Sequence, residues 1–169
     1  MSRAFVDDDN EHVEGLPEIP QSDNPGYITP EGLKQLKAEL ESLEQEKRLP
    51  LLAEIEEGGA GASEAETELA RIEQRVKYLQ ARIGRAIVVD PSSASHDRVH
   101  FGSIVTVRDQ DGHEMHVHIV GEDETDPERG RVSCFSPLAR ALMTRQAGET
   151  VTWNRPIGDS MLTIIEISH

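Results

Sequence analysis

Residues 69–86 form the stretch LARIEQRVKYLQARIGRA. Its apolar side chains recur at steps of three and four, which places them along one narrow stripe of an α-helix. The stripe consists of Leu69, Ile72, Val76, Leu79, Ile83 and Ala86. Two apolar residues per heptad suit packing against a single partner helix. The stretch therefore predicts one arm of a two-helix antiparallel coiled coil.

A second helical pattern, which supplies the partner arm, precedes this stretch. Thr29-Pro30-Glu31 has the residues of a helix start, because threonine caps helices well and proline is tolerated at the first helical position. Leucines then follow at steps of three, four and three, at Leu33, Leu36, Leu40 and Leu43. Pro50 is expected to kink this arm, since proline removes a backbone hydrogen bond and crowds the preceding turn. Residues 27–90 are thus predicted to form a coiled-coil helical hairpin.

The turn between the arms reads EEGGAGASEAE, residues 56–66, with five small residues at its centre. Gly58 is expected to end the first arm. Ser63 is expected to be the N-cap of the second arm, with Glu66 reaching back to it in a capping box. Glu64 would then lie in the first turn, where the helix dipole favours a negative charge. These structural roles compete with a functional role for the acids of the tip.

The apolar period changes to two in the second half of the chain. Ile104-Val105-Thr106-Val107 is β-branched, and Asp111-Gly112 is a strong hairpin turn. Ser136-Pro137-Leu138 has the residues of a short helix start, and two further strands are expected at 149–153 and 161–167. Residues 97–169 therefore predict a small domain with a mostly antiparallel sheet and one helix, which makes the whole chain α+β. Residues 91–96 are expected to be a linker.

Composition narrows the classes of function. The 169 residues include 32 acidic and 17 basic side chains, for a formal charge of −15, which disfavours direct binding to DNA phosphates. One cysteine, Cys134, fits a reducing compartment. Residues 1–26 are acidic, contain three prolines and show no apolar period, so they predict a flexible tail. The sequence leaves open whether this tail docks on a partner or on the chain's own globular domain. No apolar run approaches the ~20 residues of a membrane span. A cytoplasmic monomer without membrane contact is expected.

Several segments resemble the Gre family of bacterial transcript-cleavage factors. They are YITPEGLKQLKAELESLE, RIGRAIVVDP, VHFGSIVTV and, most specifically, VGEDETDPERGRVSCFSPLARAL. The resemblance implies a coiled-coil hairpin followed by a domain of FKBP-like fold. It also implies that the C-terminal domain grips RNA polymerase, while the hairpin enters the secondary channel and meets nascent RNA only within that complex. The factor itself would not be an enzyme, because RNA cleavage would use the polymerase active site.

The resemblance also assigns roles at the hairpin tip. Gre cleavage factors carry Gly-Asp-x-Ser-Glu there, and their two acids help to hold a Mg²⁺ ion shared with the polymerase. Glu64 matches the family glutamate, but Gly61 stands at the position of the aspartate. The hairpin is also shorter than the family pattern by about a heptad, so the tip would retreat by ~6 Å. The expectation is a polymerase-binding regulator with no efficient cleavage, no intrinsic cofactor and no metal site of its own.

Two other functions stay open, and two further surfaces are assigned. A genuine cleavage factor could use Glu64 with neighbouring acids, and an FKBP-type isomerase or chaperone is the alternative from another class. Ser136, Pro137 and Leu138 are implied to contact polymerase, so Leu138→Asp is expected to weaken binding while the fold stays native. Arg71, Arg75 and Arg82 either form a basic strip facing RNA or polymerase, or pair with acids of the first arm.

Overall fold

The structure is a computed structural model that describes residues 16–95 and 97–169, so the first 15 residues of the predicted tail lie outside the described residues. It contains a helical hairpin and a sheet domain. The hairpin elements are strand β1 (Gly26–Ile28), helix α1 (Pro30–Ser42), a π-helical segment (Leu43–Arg48), helix α2 (Leu49–Glu57), helix α3 (Ala62–Gly84) and strand β2 (Ala86–Val88). The domain elements are strands β3 (Ile104–Arg108), β4 (Glu114–Val120) and β5 (Arg131–Ser133), helix α4 (Pro137–Leu142), and strands β6 (Thr150–Trp153) and β7 (Ser160–Ser168).

The first arm is helical from Pro30 to Glu57. Its start is as predicted, because the Thr29 hydroxyl accepts a hydrogen bond from the backbone N–H of Gly32 at 3.0 Å. The disturbance expected at Pro50 takes the form of the π-helical segment Leu43–Arg48, which directly precedes the proline turn. A wider turn relieves the crowding around a residue that lacks a backbone N–H. The arm therefore continues past Pro50 without ending.

The two arms pack against each other along an apolar seam, and on the first arm the buried residues lie away from the tip. The buried apolar residues there are Ile28, Leu36, Leu43, Ile72 and Leu79. Nearer the tip, α2 has no buried residue, and Leu49 and Leu52 are exposed. At the base, β1 and β2 form a parallel pair with Gly26 opposite Ala86. The sequence patterns did not predict this pair.

The sheet domain confirms the α+β class predicted from the sequence. Its five strands lie in the order β5-β4-β3-β7-β6, and every neighbouring pair is antiparallel except β4 with β5. Helix α4 packs over the core of this sheet through Leu138, Ala139 and Leu142. The strand residues of that core are Val105, Val107, Val117, Ile119, Val151, Leu162 and Ile164. No helix in the described part of the chain is long and apolar enough to cross a membrane.

Residues 16–24, called the strap below, differ from the predicted flexible tail. The strap lies along α3, where the side-chain amide of Gln74 donates to the carbonyl oxygen of Pro17. The Arg85 guanidinium donates to the carbonyl oxygen of Ser22 at 3.1 Å. These contacts involve residues far away along the chain, and a local pattern of prolines and acids cannot reveal them. The sequence left open whether the tail docks on the folded part of the chain, and in the structure residues 16–24 lie against α3.

The pH dependence of stability is expected to include a contribution from His118. Burial lowers the pKa of this half-buried side chain, and the nearby charge of Arg131 lowers it further. The unfolded chain, whose histidine titrates near pH 6.5, therefore takes up the proton first as the pH falls. Stability from the neutral imidazole is present above about pH 6.5 and is lost as the pH falls towards the lower folded pKa.

Urea unfolding midpoints between pH 7.5 and 5 check this expectation. The variant His118→Gln should lose less stability across that range than the unmodified protein. His116→Gln, two positions along β4 and exposed, is the matched control and should keep the original slope. An unchanged slope for His118→Gln would contradict the assignment.

Candidate functional site

The tip of the hairpin is a tight turn that only glycine can make. Gly58 and Gly59 have φ values of 68° and 137°, a region that residues with a Cβ rarely adopt. The chain enters the helix directly after this turn, because the Ala62 N–H donates to the Gly59 carbonyl at 3.2 Å and the Ala65 N–H donates to the Gly61 carbonyl at 3.0 Å. Helix α3 therefore begins at Ala62, with Gly61 as its N-cap residue.

This start corrects the predicted capping box. Ser63 lies inside the first turn of α3, and no side chain caps the helix, because the N-cap residue is a glycine. The Ser63 carbonyl accepts a hydrogen bond from the Thr67 hydroxyl at 3.0 Å, as a residue within the helix can. The glycine-rich turn reaches helical geometry two residues earlier than the sequence pattern suggested. Glu64 does lie in the first turn, where the helix dipole favours its charge.

Glu64 is exposed and does not belong to a cluster of metal-binding side chains. Within residues 16–95 and 97–169, the single cluster with close ligand atoms is Asp109, Asp111 and His113, in the turn between β3 and β4. Asp109 there accepts hydrogen bonds from the N–H groups of Asp111 and His113, each at 2.9 Å, and these bonds shape the turn. They also lower the pKa of Asp109.

A carboxylate from the first arm nevertheless lies beside the tip. A Cβ atom placed on Gly61 would be 2.7 Å from Oε1 of Glu54. Glu54 therefore occupies the space that a side chain at Gly61 would need. A new side chain at that position would have to displace Glu54, which is flexible enough to move.

The hairpin joins the sheet domain through a buried carboxylate, Glu124. Its Oε2 atom accepts from the N–H groups of Thr29 at 3.0 Å and of Gly121 at 3.1 Å. Its Oε1 atom accepts from the Thr29 hydroxyl and from Arg131 at 3.4 Å. The side chain is 2% exposed, so these donors replace the water that a carboxylate otherwise requires. Gly32 allows this close approach, because a Cβ there would collide with the Glu124 side chain.

A second buried contact across the junction involves Arg82 of α3. Its guanidinium is 2.6 Å from Asp123 and 3.6 Å from Glu122, and its side chain is 3% exposed. The Tyr78 hydroxyl donates to the same Asp123 carboxylate at 3.0 Å. Burial lowers the pKa of Arg82, but the hydrogen bond and charge of Asp123 outweigh it, so the pKa is raised and the side chain stays charged. Charged side chains from α3 and the sheet domain thus neutralise each other.

The three arginines predicted to form a basic strip do not share one exposed surface. Arg82 is buried at the junction, which corrects its assignment to a face that meets RNA or polymerase. Arg75 makes two hydrogen bonds to Glu39 of the first arm, at 2.7 and 3.0 Å. Arg71 is exposed and makes a weak contact with Glu68 at 3.5 Å. A local helical pattern shows which face a residue occupies, but it cannot show which acids of a distant segment cover that face.

The acids at residues 122–124 join the hairpin to the sheet domain, a role that the sequence patterns did not predict. They belong to the most specific of the Gre-like segments, yet nothing local to them indicates a structural role. The one signal was Arg82 itself, a charged residue next to Ile83 of the apolar stripe. A charge so close to a helix–helix seam requires a partner. The sequence could not identify that partner, because it lies about 40 residues away.

The three residues predicted to contact polymerase have different environments. The Ser136 hydroxyl caps α4 by accepting from the Ala139 N–H at 3.2 Å. Pro137, at the first helical position, is exposed, and Arg140, about one turn later, is exposed too. Leu138 is 6% exposed and lies in the core, so Leu138→Asp is now expected to disturb the fold. Pro137 and Arg140 are the residues of this helix that a partner can reach.

An aromatic group lies next to this helix start. The ring of Tyr27, from β1, stacks on Phe135 with centroids 6.1 Å apart and also contacts Phe101 at 6.3 Å. Tyr27 belongs to the hairpin base, whereas the two phenylalanines belong to the sheet domain. The group therefore adds an apolar contact to the polar junction.

Comparisons of the sequence with known proteins identify one family. The sequence model described as "Transcription elongation factor, GreA/GreB, C-term" matches residues 94–169. Transcription elongation factor GreA of Thermodesulfovibrio yellowstonii is 39% identical over 150 residues, covering 83% of this chain and 95% of that protein. Transcription elongation factor GreB of Pseudomonas aeruginosa is 33% identical over 158 residues, covering 89% and 94%. A solved structure of the transcription factor Gfh1 is 25% identical and covers 85% of this chain and 97% of its own, with a TM-score of 0.41.

Proposed function

The chain belongs to the GreA/GreB family of transcription elongation factors, and from this premise we propose that it binds RNA polymerase at the secondary channel and regulates transcription without efficient transcript cleavage. In this proposal the two helical arms act as a coiled-coil probe of the channel. The sheet domain, which would be FKBP-like, supplies most of the affinity for polymerase. The chain acts on polymerase and is not itself an enzyme.

The observation that carries the proposal is the composition of the tip. Mg²⁺ prefers oxygen ligands. When added carboxylates hold a Mg²⁺ ion near a phosphate, the ion can orient a water molecule for attack. This tip presents an exposed Glu64 outside any described cluster of ligands, and Gly61 has no side chain. A Mg²⁺ ion shared with the polymerase active site would therefore gain at most a weak additional ligand. Binding without efficient cleavage follows from that shortage of oxygen ligands.

One specific observation favours the second candidate, a factor that does stimulate cleavage. Glu54 places a carboxylate oxygen beside Gly61, close to the position that an aspartate side chain would occupy. Together, Glu54 and Glu64 could then offer two oxygen ligands to a shared ion. This candidate needs Glu54 to turn outwards from the arm, whereas the structure shows it lying against Gly61.

The third function, an FKBP-type isomerase, gains no support from the arrangement of aromatic residues. Such a site needs an aromatic-lined pocket open to a peptide. Phe101 and Phe135 instead pack on Tyr27 at the hairpin base. The guanidinium carbon of Arg155 lies over the ring of Trp153, 5.0 Å from the ring centroid.

Binding to polymerase tests the proposal through the exposed start of α4. Pro137→Asp should weaken binding of the full chain to core RNA polymerase by about fivefold or more, as for a residue inside an interface. The fold should be retained, because the substitution lies at an exposed first helical position where an acid is favourable. Binding is measured by fluorescence anisotropy of the labelled protein.

The control substitution is Ile157→Asp, since Ile157 is 86% exposed in the loop between β6 and β7. It adds the same charge elsewhere on the same domain and should leave affinity unchanged. Equal affinity of the Pro137→Asp variant and the unmodified protein would contradict a contact at α4. Failure of the unmodified protein to bind polymerase at all would contradict the proposed function.

A further inference from the structure

The strap, residues 16–24, covers the face of α3 that points away from the first arm. The seam with that arm contains Ile72 and Leu79, both buried. Gln74, which holds the strap through the Pro17 carbonyl, is two residues from Ile72 and therefore lies on the other side of the helix. Helix α3 is thus enclosed between the first arm and the strap.

The strap fits this face loosely. A cavity of about 370 Å³ separates the two, with Leu16 and Ile19 on the strap side and Leu69 and Ala70 on the helix side. Leu16 remains 42% exposed, and Oε1 of Gln21 is buried without a hydrogen-bond partner. A void deprives the side chains around it of dispersion attraction. A buried acceptor without a donor has lost its hydrogen bonds to water and gained none in return. Both features weaken the docked arrangement, so detachment of the strap would break few good interactions.

The C-terminal end of the strap is joined to the sheet domain and to the base of the hairpin. The Asn24 side-chain amide donates to Glu122 at 2.8 Å, and Ile28, four residues later, is 2% exposed in the hairpin core. Pro17 and Pro20 lack backbone N–H groups, so this stretch cannot pair along its whole length as a strand. The strap can therefore leave α3 while its end stays attached at the hairpin base.

The helix face beneath the strap has the composition of a contact surface. Leu69, Ala70 and Ala81 are apolar, and Glu66, Glu73 and Lys77 are charged. With two carboxylates and one ammonium group, the uncovered face suits a partner that presents apolar side chains and cations. The hairpin is also the part of the chain that would enter polymerase.

We propose that this face of α3 is a second contact surface for RNA polymerase, and that the strap leaves it when the hairpin inserts. The proposal rests on the proposed function. Only molecules with a detached strap can bind polymerase through this face. The apparent affinity is therefore the intrinsic affinity multiplied by the fraction of such molecules. The strap is then a built-in competitor for its own binding face.

Thiol labelling in the free protein and in the polymerase complex tests the exchange. Two single-cysteine variants are made in a Cys134→Ser background, Gln21→Cys on the strap and Ala70→Cys beneath it. On complex formation, the strap thiol should react several-fold faster and the helix thiol several-fold slower. A complex in which both labelling rates stay at their free values would overturn the inference while leaving the proposed function intact. If no complex forms, both the proposed function and this surface fail.

Affinity gives a second measurement in the full-length chain. Ile19→Ser, which removes the half-buried apolar anchor of the strap, should tighten polymerase binding by about three- to tenfold. Asp23→Asn, an exposed strap position, is the control and should change affinity less. Unchanged or weaker binding by the Ile19→Ser variant would contradict competition by the strap.

Discussion

Replacing Leu138 with aspartate is expected to unfold the sheet domain. Leu138 is 6% exposed and packs in the core beside Ala139 and Leu142. Losing a buried leucine costs about 2–5 kcal/mol, and burying an unpaired carboxylate adds to that cost. The sum approaches the ~5–15 kcal/mol that stabilises a typical domain. Near-UV circular dichroism and urea unfolding measure the effect.

The adjacent substitution is the matched control. Pro137→Asp adds the same charge one residue away, at an exposed position, and should keep the native spectrum and an unfolding midpoint close to the original. If the Leu138→Asp variant unfolded at the same urea concentration as the unmodified protein, Leu138 would not be a core residue. A direct contact between Leu138 and polymerase, as the family resemblance implies, would then be possible again.

The second large effect is expected at the junction. Arg82→Ala leaves the carboxylate of Asp123, whose side chain is 12% exposed, without its 2.6 Å partner. Breaking a buried ion pair from one side typically costs about 3–5 kcal/mol, because the remaining charge is left uncompensated. The free energy of unfolding should fall by that amount in urea titrations at neutral pH.

Two further variants isolate the cause. Arg71→Ala removes an exposed arginine from the same helix and should change stability by no more than ~0.5 kcal/mol. Adding Asp123→Asn to the Arg82→Ala variant should recover part of the loss, because the unpaired charge is removed. A loss below ~1 kcal/mol in the single variant would show that the junction does not depend on this pair.

The parts of the fold that follow from local pattern were predictable. Steps of three and four located both helical arms, and Thr29 before Pro30 marked the start of the first. The β-branched run from Ile104 and the turn at Asp111-Gly112 located the first strands of the sheet. Each of these features depends on residues within about one heptad of each other, which is the range that periodicity and capping describe.

The parts that depend on distant residues were not predictable in the same way. Glu124 meets Thr29 across 95 positions, and the strap meets α3 across more than 50. No local period encodes such pairs. The start of α3 shows that a local motif can also mislead. Ser63 and Glu66 fit a capping box, but the glycine turn begins the helix two residues earlier. The absence of a side chain at Gly61, in contrast, could be read directly from the sequence.

Cleavage of backtracked RNA distinguishes a regulator that only binds polymerase from a cleavage factor. Stalled, backtracked elongation complexes are mixed with Mg²⁺ and with the unmodified protein, the Glu64→Ala variant or the Glu54→Gln variant, and RNA shortening is followed on a gel. All three proteins should bind the complexes, yet none should raise cleavage appreciably above the intrinsic activity of polymerase. Robust cleavage by the unmodified protein that is lost in either variant would contradict the account and make this chain a cleavage factor.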